Sequence, residues 1–192
     1  MKRMEFISLS GLVGLTIFLP QTLFSMTNDP EHLLFKDDGK IPNSKLPLIL
    51  YKNAFSERGS KGAAWLETRF SQNNWTNSWR NGIYSFHHYH STSHEVLGVY
   101  AGSALVHIGG EKGEKVDIEA GDIIIIPAGV GHKNLRSNGL GVVGAYPDGR
   151  SWDLNRGYAD ERPKADENIA ALPLPKADPL LGSNDGIIGI WT

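Results

Sequence analysis

The chain has 192 residues, no cysteine and a formal net charge of −2 at neutral pH. The lack of cysteine excludes disulfides, thiolate metal ligands and cysteine nucleophiles, so any bound metal must be held by nitrogen and oxygen atoms. The mildly acidic balance, without a basic stripe, argues against nucleic acid as a partner.

Residues 1–25 have the composition of a secretory signal peptide. Lys2 and Arg3 provide a short basic start, residues 6–19 are almost continuously apolar, and Pro20 follows. An apolar run of this length fits a secretory signal better than a membrane span of roughly 20 residues. We therefore expect export, to the periplasm, with no membrane contact after cleavage. An uncleaved N-terminal membrane anchor is the alternative.

Residues 26–81 are expected to form an N-terminal extension with short strands and one helix. The first strand is predicted at 33–36. A second is predicted at 46–51, where Pro47 favours an edge strand or the beginning of a strand. Ser60 is a suitable N-cap for a helix that runs to Phe70. The Asn-, Trp- and Ser-rich residues 73–81 are interpreted as a loop.

Residues 82–147 are rich in short apolar segments separated by glycines, which predicts an all-β sandwich or barrel. The predicted strands are 83–90, 95–101, 103–108, 115–118, 122–126, 132–136 and 141–146. The run Ile123–Ile126 does not alternate with polar residues. It should therefore be buried on both faces, beneath another layer of the barrel or a second subunit.

Residues 148–192 are irregular and proline-spaced, which predicts an extended C-terminal tail. Residues 187–192 are too apolar to remain in water, so we expect them to pack on the barrel or on a partner subunit. Together with the isoleucine run, this apolar end favours a homodimer.

Two histidines, His88 and His90, stand two positions apart, Glu95 follows, and His132 lies further downstream. Alternate residues of a β-strand point to the same face, so the two neighbouring histidines would project side by side. Glu95 comes after a short turn and would face the same pocket from the next strand. Three imidazoles and one carboxylate arranged in this way suit a divalent first-row metal ion.

Two longer patterns contain these four residues. Gly82, His88, His90, Glu95 and Gly102 stand as G-x5-H-x-H-x4-E-x6-G, and Gly121, Pro127, Gly129 and His132 stand as G-x5-P-x-G-x2-H. They resemble the two motifs of the cupin superfamily, and the chain is similar to small single-domain bacterial cupins of uncharacterised function. The second motif usually continues to an asparagine where this chain has Arg136, which is a packing position and not a ligand position.

The resemblance implies a double-stranded β-helix, the jelly-roll barrel of cupins, over residues 82–147. It also implies a metal held by the four matching residues His88, His90, Glu95 and His132. An octahedral ion with these ligands keeps two positions open, which suits Mn²⁺ or Fe²⁺ best, with Ni²⁺, Cu²⁺ and Zn²⁺ as alternatives.

The function expected from this resemblance is that of an exported metal-dependent enzyme on a small, oxygen-rich organic substrate. Dioxygenase, decarboxylase and isomerase chemistries all remain open. Two alternatives are a non-catalytic cupin module that binds a small ligand or metal, and a barrel whose metal only stabilises the fold.

Three other histidines are assigned different roles. His87 has the opposite parity to His88 and is expected at the surface or in an interface. His94 is expected to face solvent or to lie behind the ligands, and His107 is expected to be a core residue. Tyr84 shares the parity of His88, so it should face the barrel interior as part of the core or as the wall of a substrate pocket.

Overall fold

The computed structural model of the protein describes residues 29–192, so the expected signal peptide at 1–25 lies outside the described residues. Within this part of the chain, seven strands form one sheet in which every pairing is antiparallel. The strands are β1 (Glu31–Leu33), β2 (Leu48–Tyr51), β3 (Trp75–Asn81), β4 (Glu95–Ile108), β5 (Glu114–Glu119), β6 (Ile123–Ile126) and β7 (His132–Pro147). Their order is β1-β2-β6-β4-β7-β3, with β5 also paired to β4. The all-β jelly-roll prediction is confirmed.

The central strand β4 pairs with β5, β6 and β7 and begins at Glu95. It is one continuous strand, although the sequence predicted a break at Gly102. Gly102 instead lies at an irregularity in the pairing with β7 and has a φ of +64°. A Cβ there would come within 2.2 Å of the carbonyl oxygen of Asn138, so glycine lets the strand continue through the bulge.

The strand β6 is buried on both faces, as its unbroken run of isoleucine predicts. Ile123 and Ile125 pack in one core cluster with Leu66 and Phe70 of helix α1 (Gly59–Gln72). Ile124 and Ile126 belong to the other cluster, on the opposite face of the sheet, with residues such as Leu97. The layer that covers the first face is therefore a helix of the same chain.

Helix α1 lies against the sheet through an apolar stripe that includes Ala63, Leu66 and Phe70. It begins at Gly59 after Arg58, without a side-chain cap, so the prediction of Ser60 as N-cap was wrong. A Cβ on Gly98 of β4 would lie 2.5 Å from the Leu66 side chain. Glycine at this position lets the helix approach the strand closely.

The strand assignments around the first motif need two corrections. Residues 75–81, expected to be a loop, form β3 against β7, with an irregularity between Thr76 and Trp79 where Asn77 has a φ of +55°. Residues 83–90, expected to be a strand, make only isolated bridges at His88 and Tyr89. Pro47 directly precedes β2, in agreement with the predicted beginning of a strand, and β2 lies between β1 and β6, so it is not an edge strand.

The C-terminal segment is less extended than predicted, because it contains helices α2 (Lys164–Ala171) and α3 (Ile187–Ile190). Pro163 directly precedes α2, and acidic residues occupy its first turn, where they interact favourably with the helix dipole. At the chain end, Ile187 and Trp191 are buried in the core cluster beneath α1. No helix within residues 29–192 is long and apolar enough to span a membrane.

Candidate metal centre

The side chains of His88, His90 and His132 are buried and converge, with one potential ligand atom from each within 4.8 Å of the others. His88 and His132 exchange two backbone hydrogen bonds, of 3.2 and 2.9 Å, which place their rings 4.0 Å apart. These two histidines are therefore brought together by an isolated antiparallel bridge between the two motifs. A regular strand over residues 83–90 is not involved.

Each of the three rings has its Nδ1 against a backbone carbonyl oxygen. The pairs are His88 with Phe86 at 3.3 Å, His132 with Val130 at 3.2 Å, and His90 with Asp153. A neutral ring that donates Nδ1–H to a carbonyl has its lone pair on Nε2. Histidines that bind metals are commonly oriented in this way.

The Glu95 carboxylate is buried beside these histidines, with only one of its oxygens hydrogen bonded. Its Oε1 accepts a hydrogen bond of 3.0 Å from the Tyr146 hydroxyl. Its Oε2 has no hydrogen-bond partner and lies 3.4 Å from Nε2 of His132 and 3.6 Å from Nε2 of His90. A buried carboxylate oxygen without a partner is costly. A divalent cation among these four residues would satisfy it, so the donor set fits a metal ion.

The electrostatics of the cluster also suit a cation. Burial lowers the pKa of His88 to about 2, and the nearby His132 and His90 act in the same direction, so this ring is neutral at neutral pH. Burial alone would raise the pKa of Glu95, but the electrostatic attraction of the neighbouring histidines, His90 foremost, outweighs burial and lowers that pKa. The same carboxylate raises the pKa of His90 despite burial, so an ion bound here would take the place of a proton on His90. A neutral imidazole and an ionised carboxylate are the forms that bind metals.

The four residues border a pocket of about 270 Å³ with largely aromatic walls. The Tyr84 ring lies edge-on to His88 with a centroid distance of 5.0 Å, and the Trp152 ring lies 5.0 Å from His90. On a third side, Trp79 Nε1 donates a hydrogen bond of 2.8 Å to the Tyr146 hydroxyl. Trp79, Tyr146 and Glu95 thus form a hydrogen-bonded series that ends on the carboxylate.

A glycine positions the Trp79 end of this series. A Cβ on Gly144 of β7 would lie 2.3 Å from the Trp79 ring, so the indole can lie flat over the strand only because this residue lacks a side chain. The indole N–H is thereby held within reach of the Tyr146 hydroxyl, two residues further along the same strand.

The C-terminal segment holds the loop that carries His88 and His90. Besides the bond from His90 to its carbonyl, Asp153 accepts hydrogen bonds at its carboxylate from the backbone N–H of Ser91 at 2.6 Å and of Thr92 at 3.2 Å. The Ser91 hydroxyl and the Asn155 amide also donate to this carboxylate. This group of contacts, which we call the Asp153 clasp, fixes the orientation of the His90 ring.

The structure brings together all four residues that the sequence predicted as ligands, and their role as ligands stays a prediction. His94 does not face solvent: it is buried, and its Nδ1 accepts a hydrogen bond of 3.0 Å from the backbone N–H of Ala128. His87, expected at the surface or in an interface, is mostly buried within the chain and lies beside the buried His107. Tyr84 is 46% exposed and borders the pocket, outside the core.

Comparison with known proteins agrees with this architecture. The cupin domain family model matches residues 81–140. The uncharacterized protein YjlB of Bacillus subtilis (strain 168) is 39% identical over 168 residues, which cover 86% of this chain and 99% of that protein. The chain belongs to the cupin superfamily.

Solved structures similar to this cupin include acireductone dioxygenase from Bacillus anthracis with a cadmium ion in its active centre. It is 17% identical, the match covers 47% of this chain and 61% of that one, and the TM-score is 0.35. A mutant of Bacillus subtilis oxalate decarboxylase is 18% identical over 70% of this cupin and 32% of that chain, with a TM-score of 0.36. The cupin thus spans less than two thirds of either solved chain, and similarities this distant carry no argument about its activity.

Proposed function

We propose that this cupin is a metal-dependent enzyme that acts on a small, oxygen-rich organic molecule, by dioxygenase, decarboxylase or isomerase chemistry. One observation carries the proposal. The buried histidines His88, His90 and His132 and the unpartnered Oε2 of Glu95 converge at the wall of a small pocket.

These four residues would hold the ion. Three neutral nitrogen donors and one carboxylate oxygen suit Mn²⁺ or Fe²⁺ best, with Ni²⁺, Cu²⁺ and Zn²⁺ as alternatives. When bound, the ion would supply Lewis acidity and, for iron or manganese, redox chemistry. The protein itself supplies the groups that position the ligands and the walls that hold the substrate.

Tyr146 is the principal positioning residue in this proposal. Its hydroxyl is shared between Trp79 and Glu95, and burial together with the nearby Glu95 carboxylate raises its pKa. The hydroxyl therefore stays protonated and continues to donate to Oε1. This bond keeps Oε2 directed toward the histidines.

The aromatic walls would hold and shield the substrate. Tyr84, Trp79 and Trp152 line the pocket, and Arg80 at its edge is already paired with Glu67 through two hydrogen bonds. A volume of about 270 Å³ lies just below the usual range for ligand pockets, roughly 300–1,000 Å³. The pocket therefore favours a compact molecule over an extended one.

The proposal is tested by turnover. The cupin loaded with Fe²⁺ or Mn²⁺ is incubated in air with a panel of small hydroxy acids, keto acids, dicarboxylic acids and sugars, and each mixture is followed by NMR. We expect at least one compound to be converted by the wild-type protein and none by Glu95→Ala, which lacks one ligand. The matched control Glu114→Ala removes an exposed carboxylate on β5 and should keep full activity.

Two results would contradict the proposal. Full activity of a folded Glu95→Ala variant would exclude catalysis at this centre. A compound that stabilises the protein against heat but is recovered unchanged in every mixture would instead identify a non-catalytic binding module.

A further inference from the structure

A second cluster of potential ligands lies beside the proposed centre and shares no residue with it. It consists of His87, His107 and Glu111, which each offer one ligand atom within 4.8 Å of the others. The rings of His87 and His107 lie 4.9 Å apart. His107 is on β4, Glu111 is in the turn between β4 and β5, and His87 precedes His88.

His87 is the unusual member of this cluster. Its side chain is only 10% exposed, yet neither ring nitrogen has a hydrogen-bond partner, although both are buried. Nε2 lies 3.3 Å from Oε1 of Glu111 without the geometry of a hydrogen bond. Buried polar atoms are normally paired, so a ring with both nitrogens unpaired indicates that a partner belongs here.

We propose that His87, His107 and Glu111 form a second metal site that takes a divalent ion of the Zn²⁺ type. Two imidazoles and one carboxylate are a common protein ligand set for Zn²⁺, with water as the fourth ligand. Glu111 is largely exposed, so its carboxylate has room to turn toward the two rings, and water has access to the open position.

Lys133 competes with the ion for Glu111. Its ammonium group lies 2.7 Å from Oε1 of Glu111, and its backbone is opposite His107 in the pairing of β4 with β7. A cation bound to the two histidines would have to displace this ammonium or use the second carboxylate oxygen. The affinity of the site therefore depends on Lys133. A substitution of Lys133 tests the site while all three proposed ligands stay in place.

An ion at this position would brace the segment that carries His88 and His90. Residues 83–90 have no regular strand and are held by isolated bridges, whereas His107 lies on the central strand. A bond from His87 through the ion to His107 would fix the segment to the sheet one residue before the first proposed ligand of the cupin centre. The second site is thus a structural support and does not depend on the proposed enzymatic function.

The test is equilibrium dialysis of the metal-free full chain against Zn²⁺, with elemental analysis of the bound ion. Compared with the wild type, we expect His107→Gln to bind one ion fewer. Glu111→Gln should bind the same ion at least about tenfold more weakly. Lys133→Gln should bind it roughly fivefold more tightly, because the competing ammonium is gone.

Glu95→Gln separates the two sites. If the cupin centre also binds Zn²⁺, this variant binds one ion with lower affinity, while the affinity for the His107-dependent ion is unchanged. If the wild type binds a single ion that depends on His107 and not on Glu95, the second site is confirmed while the proposed cupin centre is not. Wild-type stoichiometry and affinity in both His107→Gln and Glu111→Gln would overturn the second site, as would a Lys133→Gln variant with no gain in affinity.

Discussion

Glu95 and Tyr146 show how one hydrogen bond can prepare a carboxylate for a metal. The Tyr146 hydroxyl engages Oε1 and leaves Oε2 as a buried oxygen without a partner, within 4 Å of two histidine nitrogens. Partners behind the ligands orient them and tune their affinity for the ion. Tyr146 therefore matters for metal binding although it is not itself among the proposed ligands.

We predict that Tyr146→Phe weakens Mn²⁺ binding at the cupin centre by about 10- to 100-fold, because Glu95 loses the bond that orients it. Free Mn²⁺ measured by electron paramagnetic resonance during a titration gives the affinity. Tyr84→Phe is the matched control, because it removes a tyrosine hydroxyl from the same pocket without touching Glu95. Equal Mn²⁺ affinity in both variants and the wild type would show that Tyr146 has no such role.

The proposed ligands were accessible from the sequence because their spacing is local within each motif. Tyr146 was not, because it lies 51 residues from Glu95, and its hydrogen bond depends on how β4 and β7 pair. His94 illustrates the same limit. Its parity suggested a position in solvent or behind the ligands, but its ring is buried, accepts a hydrogen bond from the backbone N–H of Ala128 and packs against Trp191.

At the scale of elements, the Asp153 clasp joins the irregular loop 88–92 to the C-terminal segment. One carboxylate accepts hydrogen bonds from two backbone N–H groups and from the Ser91 and Asn155 side chains. Burial alone would raise the pKa of Asp153, but these hydrogen bonds outweigh it and lower that pKa. The ionised form of Asp153 therefore stabilises the folded state.

Asp153→Asn should reduce the free energy of unfolding of the metal-free protein by about 2 kcal/mol at pH 7, because hydrogen bonds to a charged acceptor are lost. Because the folded pKa lies below the unfolded one, the stabilisation is present above the unfolded pKa and is lost as pH falls through the folded pKa. The difference between wild type and variant should thus shrink toward pH 3. Urea unfolding followed by tryptophan fluorescence measures it.

Asp148→Asn is the control for the clasp, since this exposed carboxylate accepts a hydrogen bond from the Asn74 side chain. It should change the free energy of unfolding by no more than about 0.5 kcal/mol. If Asp153→Asn and Asp148→Asn unfold at the same urea concentration as the wild type at pH 7, the clasp does not stabilise the fold.

Element boundaries around the first motif were predicted poorly for a physical reason. Residues 75–81 contain asparagine and serine, which are weak strand formers, yet they pair with β7 and accommodate Asn77 at positive φ. The more apolar residues 83–90 looked like a strand, but the segment makes only isolated bridges, and four of its side chains, Ile83, Tyr84, His88 and His90, line the pocket. Their apolar and aromatic side chains suit a pocket as well as a sheet, so composition alone could not separate the two.

At the scale of the whole molecule, both flanking segments complete the barrel. Before the first motif, β2 pairs with β6 and α1 covers the outer face of that strand. At the other end, Trp191 donates a hydrogen bond of 2.9 Å to the carbonyl of Pro47 and packs in the same cluster. The isoleucine run predicted two buried faces, but only the structure shows that the cover comes from the same chain.

The central claim is that His88, His90, Glu95 and His132 hold a divalent ion, and anomalous diffraction from crystals grown with Mn²⁺ or Fe²⁺ tests it most directly. Data collected on either side of the metal absorption edge locate the ion without reference to activity. We predict a peak at bonding distance from Nε2 of the three histidines and from Oε2 of Glu95. Crystals saturated with metal that show no peak among these residues, or a peak only elsewhere in the protein, would contradict the account.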